Sequence, residues 1–77
     1  MKSELLIIST NILARSGEEY SIKTWIKVSN LYKYTYDTII YKRNGEDSTW
    51  SRKEFTSFDK REDAIDWHNK QIAKFAS

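Results

Sequence analysis

Between Tyr20 and Ser29 the chain alternates strictly. Tyr20, Ile22, Thr24, Ile26 and Val28 fall on one side, and Ser21, Lys23, Trp25 and Lys27 on the other. A period of two over this length predicts a β-strand. Glu4 to Arg15 (ELLIISTNILAR) also predicts a strand, because its centre is β-branched and Leu6, Ile8, Thr10, Ile12 and Ala14 share one side. Ser16-Gly17-Glu18-Glu19 then predicts a turn, and Asn30 marks the next one. Tyr32 to Arg43 is the third expected strand and Glu46 to Phe55 the fourth. Asn44-Gly45 between them predicts a two-residue type I′ hairpin, since both residues tolerate a positive φ.

That hairpin sets a register. Arg43 is expected opposite Glu46, Tyr41 opposite Ser48, Ile39 opposite Trp50 and Asp37 opposite Arg52. On the other side Tyr36 faces Lys53 and Tyr34 faces Phe55. The charge matches Arg43/Glu46, Lys42/Asp47 and Asp37/Arg52 support it.

Asp59 to Ala76 predicts a helix. Ile65, His68, Ile72 and Phe75 recur at helical spacing, with Ala64 and Ala76 beside them. Asp59 and Glu62 have the spacing of a capping box, and Phe58 is placed for a hydrophobic staple. Asp63 suits the positive end of the helix dipole, and Lys70 and Lys74 the negative end. The expected fold is α+β: a four-stranded antiparallel β-meander with one C-terminal α-helix packed on one face, in a single small domain spanning residues 1–77.

Composition bounds what such a domain does. At 77 residues it buries only about 60 % of the surface of its unfolded chain, so stability near roughly 5 kcal/mol is expected. The chain has no cysteine, which removes disulfides and thiolate metal sites and fits a cytoplasmic setting. No apolar run approaches the roughly 20 residues that span a bilayer, and the start resembles no secretory signal, so no membrane partner is expected. The formal charge is +2, but it is uneven. Ser21 to Lys53 holds seven basic and three acidic residues, +4, while the segments before and after it each sum to −1. This is less than the dense basic stripe of a dedicated DNA binder.

Catalytic equipment is thin. His68 is the only histidine, and helical spacing surrounds it with Ala64 and Ile72 rather than with an orienting acid or a nucleophile. It is better read as a structural residue at the edge of the helix–sheet interface. Asp59, Glu62, Asp63 and Asp66 lie on one side of the helix, a pattern that hard cations favour. Capping and dipole complementarity account for the same residues, so no metal and no cofactor are assigned. No Walker, dinucleotide-binding or nucleophile-elbow motif occurs. A binding protein is expected, not an enzyme.

One surface rises above background. The apolar side of the sheet, with Tyr20, Ile22, Ile26, Val28, Tyr34, Tyr36, Ile40 and Phe55, is the expected core. The reverse face presents Lys23, Trp25, Lys27, Ile39, Tyr41, Trp50 and Arg52, with Asp37 among them. Rings interleaved with cations suit a protein interface or self-association, where Trp, Tyr and Arg supply most of the binding energy. They also suit single-stranded nucleic acid, whose bases stack on rings and whose phosphates meet cations. A second mini-core of Trp25, Ile39 and Trp50, covered by the N-terminal strand or by a dimer mate, is the third reading.

The strand YSIKTWIKV, the strand YDTIIY and the segment SFDKREDAIDWHNKQI carry a resemblance. Across Tyr20 to Phe75 the chain is similar to a group of small proteins of tailed bacteriophages and prophages. There a Y-[DE]-T-apolar-apolar-aromatic strand precedes a helix with two acids, Ala and then His. Here these are Tyr36, Asp37, Thr38, Ile39, Ile40 and Tyr41, then Glu62, Asp63, Ala64 and His68. The glycine-rich insert that often joins the two strands in that group is absent here. A looser similarity is to WGR-type domains, without the WGR triplet. The phage resemblance carries no functional residue over. It implies a non-catalytic accessory protein in the host cytoplasm that binds a host macromolecule, such as an anti-CRISPR-like inhibitor of a defence or transcription protein. Nucleic acid is the alternative partner.

Overall fold

The computed structural model describes residues 3–30 and 33–76. Tyr32, where the third strand was expected to begin, lies outside them. The chain forms β1 (Ser3–Leu13), β2 (Glu19–Asn30), β3 (Lys33–Arg43), β4 (Ser51–Phe58) and α1 (Arg61–Ala76). The strands make one antiparallel sheet in the order β1-β2-β3-β4, with α1 packed on one face. This is the α+β meander that the alternation predicts.

Local chemistry explains the connections. Between β1 and β2, Gly17 takes φ +91°, and its N–H donates to the Ala14 carbonyl (3.0 Å). Ala14 N–H in turn donates to the Glu18 carbonyl (2.9 Å), closing the turn. At its exit Tyr20 donates its hydroxyl to Glu18 (2.6 Å). That hydrogen bond, helped by nearby Lys42, holds the Glu18 carboxyl below its usual range and raises the Tyr20 phenol.

The second hairpin departs from expectation. A type I′ turn needs positive φ at both central residues, and Asn44 does not have it; Gly45 alone does (φ +108°). The chain instead turns through Gly45–Ser48, where Ser48 N–H donates to the Gly45 carbonyl (3.1 Å) and Ser48 Oγ to the Asn44 carbonyl (3.3 Å). β4 therefore starts at Ser51, opposite Lys42, with Arg52 opposite Tyr41. An irregularity between Ile40 and Tyr41 admits one extra β4 residue, after which Ile40 faces Glu54, Ile39 faces Phe55 and Asp37 faces Ser57. One extra residue exchanges the two faces of a strand. Phe55, expected in the core beside Tyr34, lies on the opposite face and is 50 % exposed. The charge pairs change with it. Arg43 pairs with Glu19 and Lys42 with Glu18 (3.4 Å), both across to the β1–β2 hairpin.

β1 has a similar correction. A register shift between Leu6 and Ile8 leaves Ile7 as the extra residue. Ile8, Thr10 and Ile12 face the helix, while Leu6 pairs with Trp25 on the other side. Leu6 thus does not share a side with Ile8, as simple alternation predicts.

The helix begins at Arg61, and the Lys60 carbonyl accepts the first helical hydrogen bond, from Ala64 (3.3 Å). Lys60 therefore occupies the cap position that Asp59 was expected to hold. Phe58 packs on Trp67 (ring centroids 6.0 Å apart), one turn beyond a staple contact. Phe75 stacks on Tyr20 (4.2 Å, 19° between ring planes). Tyr20, Ile22 and Ile40 form the core, with Ile12, Ala14, Trp67, Ile72 and Phe75 against them.

The centre of that interface is polar. His68 is fully buried at the middle of the helix–sheet contact, not at its edge. Its Nδ1 lies 2.8 Å from Thr24 Oγ1 and its Nε2 3.0 Å from Thr10 Oγ1. Thr24 Oγ1 continues to Thr38 Oγ1 (2.9 Å). One helical side chain is thus bonded into a chain of hydroxyls on three strands. Burial lowers the His68 pKa, so the folded protein holds the imidazole neutral. The folded state resists a proton that the unfolded chain accepts below pH about 6.5, so this stabilisation is present above that pH and declines as pH falls. We predict that His68→Ala costs about 3 kcal/mol in urea unfolding, from the cavity and the orphaned hydroxyls. Between pH 7 and about pH 5.5 wild-type stability falls by up to about 1.4 kcal/mol per pH unit. His68→Gln removes that slope, because the chain has no other histidine.

Candidate functional site: the open face of the sheet

A 16-residue helix is about 24 Å long, whereas the 12-residue β2 reaches about 40 Å. The helix covers part of one face, and among the described residues no element lies on the other. The register places Lys23, Trp25 and Lys27 of β2 on this open face, with Asp37, Ile39 and Tyr41 of β3. Arg52 joins them opposite Tyr41. Trp50, although outside β4, folds over the same face and is 40 % exposed. The structure therefore brings together the residues that alternation singled out. The pairing of Ile39 with Trp50 does not occur; Phe55 takes that place.

Alternation missed Phe55, Ser57, Leu6 and Glu4. Each lies beyond an extra residue that reverses the count, or on β1, whose faces were assigned without the shift at Ile7. Counting from the threonines would have placed Phe55 and Ser57. Thr24, Thr38 and Thr56 stand in one row across β2, β3 and β4, so their odd-numbered neighbours Phe55 and Ser57 fall on the reverse face.

The face has two shallow depressions. The first, about 370 Å³, lies between Ser9, Asn11, Ser21, Lys23, Tyr41 and Trp50. Lys23 in its wall and Arg43 beside Trp50 are both engaged. Lys23 Nζ sits 6.0 Å from the Tyr41 ring centroid, and the Arg43 guanidinium lies over Trp50 at 4.6 Å. Arg43 is also tied to Glu19, which holds the guanidinium pKa above its usual value. The second depression, about 190 Å³, is lined by Trp25, Lys27, Ile39, Tyr41 and Phe55, with Asp37 on its floor and Glu4 at its edge. Asp37 is only 7 % exposed, and its Oδ1 accepts a 2.6 Å hydrogen bond from Ser57.

Comparison of the chain with protein-family models, curated proteins and solved structures found no match. The reading of this site therefore rests on its own chemistry. Among the described residues no group of three or more His, Cys, Asp or Glu side chains is arranged to hold a metal. His68 has both ring nitrogens bonded to threonines and no exposed surface, so it meets no substrate in this structure. No described helix is long and apolar enough to cross a membrane. The open face can bind: it offers wide apolar rings, a few cations already held by neighbours, and one sunken carboxylate.

Mutational costs separate this face from the core. Ile40→Ala, at a fully buried site, should cost about 2–5 kcal/mol in chemical denaturation. Phe55→Ser should cost about 1 kcal/mol or less, because half of the ring already meets water. Equal large losses would return Phe55 to the core.

Proposed function

We propose that this protein is a binding domain, not an enzyme, and that it docks a protein partner through the open sheet face. The observation that carries this reading is the apolar surface of exposed Leu6, Phe55 and Trp50 beside half-buried Trp25, Ile39 and Tyr41, on the sheet face opposite the one the helix packs on. Monomeric proteins rarely leave such rings grouped without use, and Trp, Tyr and Arg are the residues that anchor interfaces. The similarity to small phage and prophage proteins supports a host protein as the partner, bound in the host cytoplasm and inhibited by that binding. A defence or transcription protein is the class proposed.

Single-stranded nucleic acid is the second reading, favoured by rings and cations on one face. Two observations weigh against it. Asp37 places a carboxylate among the stacking rings, where phosphates would pass. Arg43 is committed to Glu19 and already covers Trp50, which reduces both charge and stacking surface.

Capture from host lysate with the purified domain, beside Trp25→Ser/Phe55→Ser as control, tests the proposal. A protein retained by wild type and lost with the folded double variant supports it. Retention by both overturns the assignment to this face. Titration with an oligothymidine at low salt should leave tryptophan fluorescence unchanged. Saturable quenching that weakens as salt rises would transfer the function to nucleic acid.

A further inference from the structure

Asp37 is out of keeping with its surroundings. It lies in the middle of β3, the third of four strands, opposite Trp25 on one side and Ser57 on the other. It is 7 % exposed, and Ser57 donates to Oδ1. Among the described residues no cation pairs with it within ion-pair distance. Its second oxygen is likewise without a protein partner, yet no buried side-chain oxygen is left unsatisfied, so this oxygen reaches the depression it floors. Sinking a carboxylate this far without a counter-charge is costly, and a threonine would fit the strand better.

The walls indicate the ligand. Trp25, Tyr41, Phe55 and Ile39 surround the opening. Aromatic faces carry negative charge density and attract cations, the more so where water is excluded. The lining also carries two carboxylates, Asp37 and Glu4, against the single ammonium of Lys27, and Glu4 stands directly opposite Lys27 in register. The pocket as a whole thus lacks one positive charge.

We propose that the depression over Asp37 is the anchor point of the partner and receives one of its basic side chains, an arginine or lysine. The cationic head meets the free carboxylate oxygen, and its stem lies against Trp25 and Phe55. This rests on the reading of the open face as a protein-docking surface and adds the charge that the partner must present. At about 190 Å³ the depression admits one side chain and not a folded element.

The test uses the whole chain labelled with ¹⁵N and the peptide acetyl-Gly-Arg-Gly-amide as probe. Its citrulline counterpart, neutral and of the same shape, is the control, and the indole N–H of Trp25 is the reporter, assigned with Trp25→Phe. The arginine peptide should shift the Trp25 signal saturably, and the lysine peptide should act similarly. Affinity should fall roughly fivefold or more with citrulline, and equally in Asp37→Asn, which keeps the shape of the side chain. Asp37→Asn should also be at least as stable as wild type in urea, so lost binding is not lost folding. A shift that does not saturate, or one equal for arginine and citrulline or for wild type and Asp37→Asn, overturns the proposal. If it fails while Trp25→Ser/Phe55→Ser still loses the captured protein, the docking face stands without a cationic anchor. If the pocket binds arginine and no protein is captured through the face, the docking reading fails and the pocket survives it.

Discussion

The structure depends on one buried imidazole. Of the largest fully buried side chains, two are isoleucines and three, His68, Thr24 and Thr38, are polar. An apolar helix face can slide on an apolar sheet with little loss, because dispersion contacts are non-directional. Hydrogen bonds are directional. His68 reaches Thr10 on β1 and Thr24 on β2, and Thr24 passes the chain on to Thr38 on β3. Each added threonine hydroxyl is satisfied, and no buried side-chain atom in the described residues is orphaned. Such a network specifies one seating of the helix, and removing any member leaves an unpaired polar group in a dry place. With so small an apolar core, this polar centre decides where the helix lies.

The asymmetry of the molecule follows. The helix is spent on one face, where Tyr20, Ile22 and Ile40 meet Trp67, Ile72 and Phe75. Among the described residues no element covers the other. The rings there are arranged by the same strands that build the core, since Trp25 alternates with Thr24 and Ile39 with Ile40. The paired strands hold Trp25, Tyr41 and Phe55 around Asp37, so a partner of the proposed kind would meet a preformed surface.

Much of this was legible in the chain. The strict alternation from Tyr20 to Val28 placed β2 and its two faces, and the helical spacing of Ile65, His68, Ile72 and Phe75 placed α1. What alternation could not supply was the count of residues at two irregular points. The shift at Ile7 sent Leu6 to the open face, and the extra residue in β4 sent Phe55 there. Asn44-Gly45 suggested a tight hairpin because its local preference is strong. Tertiary contacts overrode it: Arg43 turned to Glu19 and Trp50 folded over Arg43. The central place of His68 was equally hidden, since a lone histidine on an amphipathic helix shows its depth only when its partners on other strands are known.

The central claim is that the helix, seated by His68, packs on one face of the sheet and leaves the rings of the other face open to solvent. Solvent relaxation enhancement by a soluble gadolinium chelate, measured residue by residue in the ¹H NMR spectrum, tests it most directly. The account predicts strong broadening at the Trp25 and Trp50 indoles and the Phe55 ring, with Ile22, Ile40 and His68 protected. Protection of Trp25 and Phe55 in the isolated protein, to the same degree as Ile40, would contradict it and show that the face is already covered.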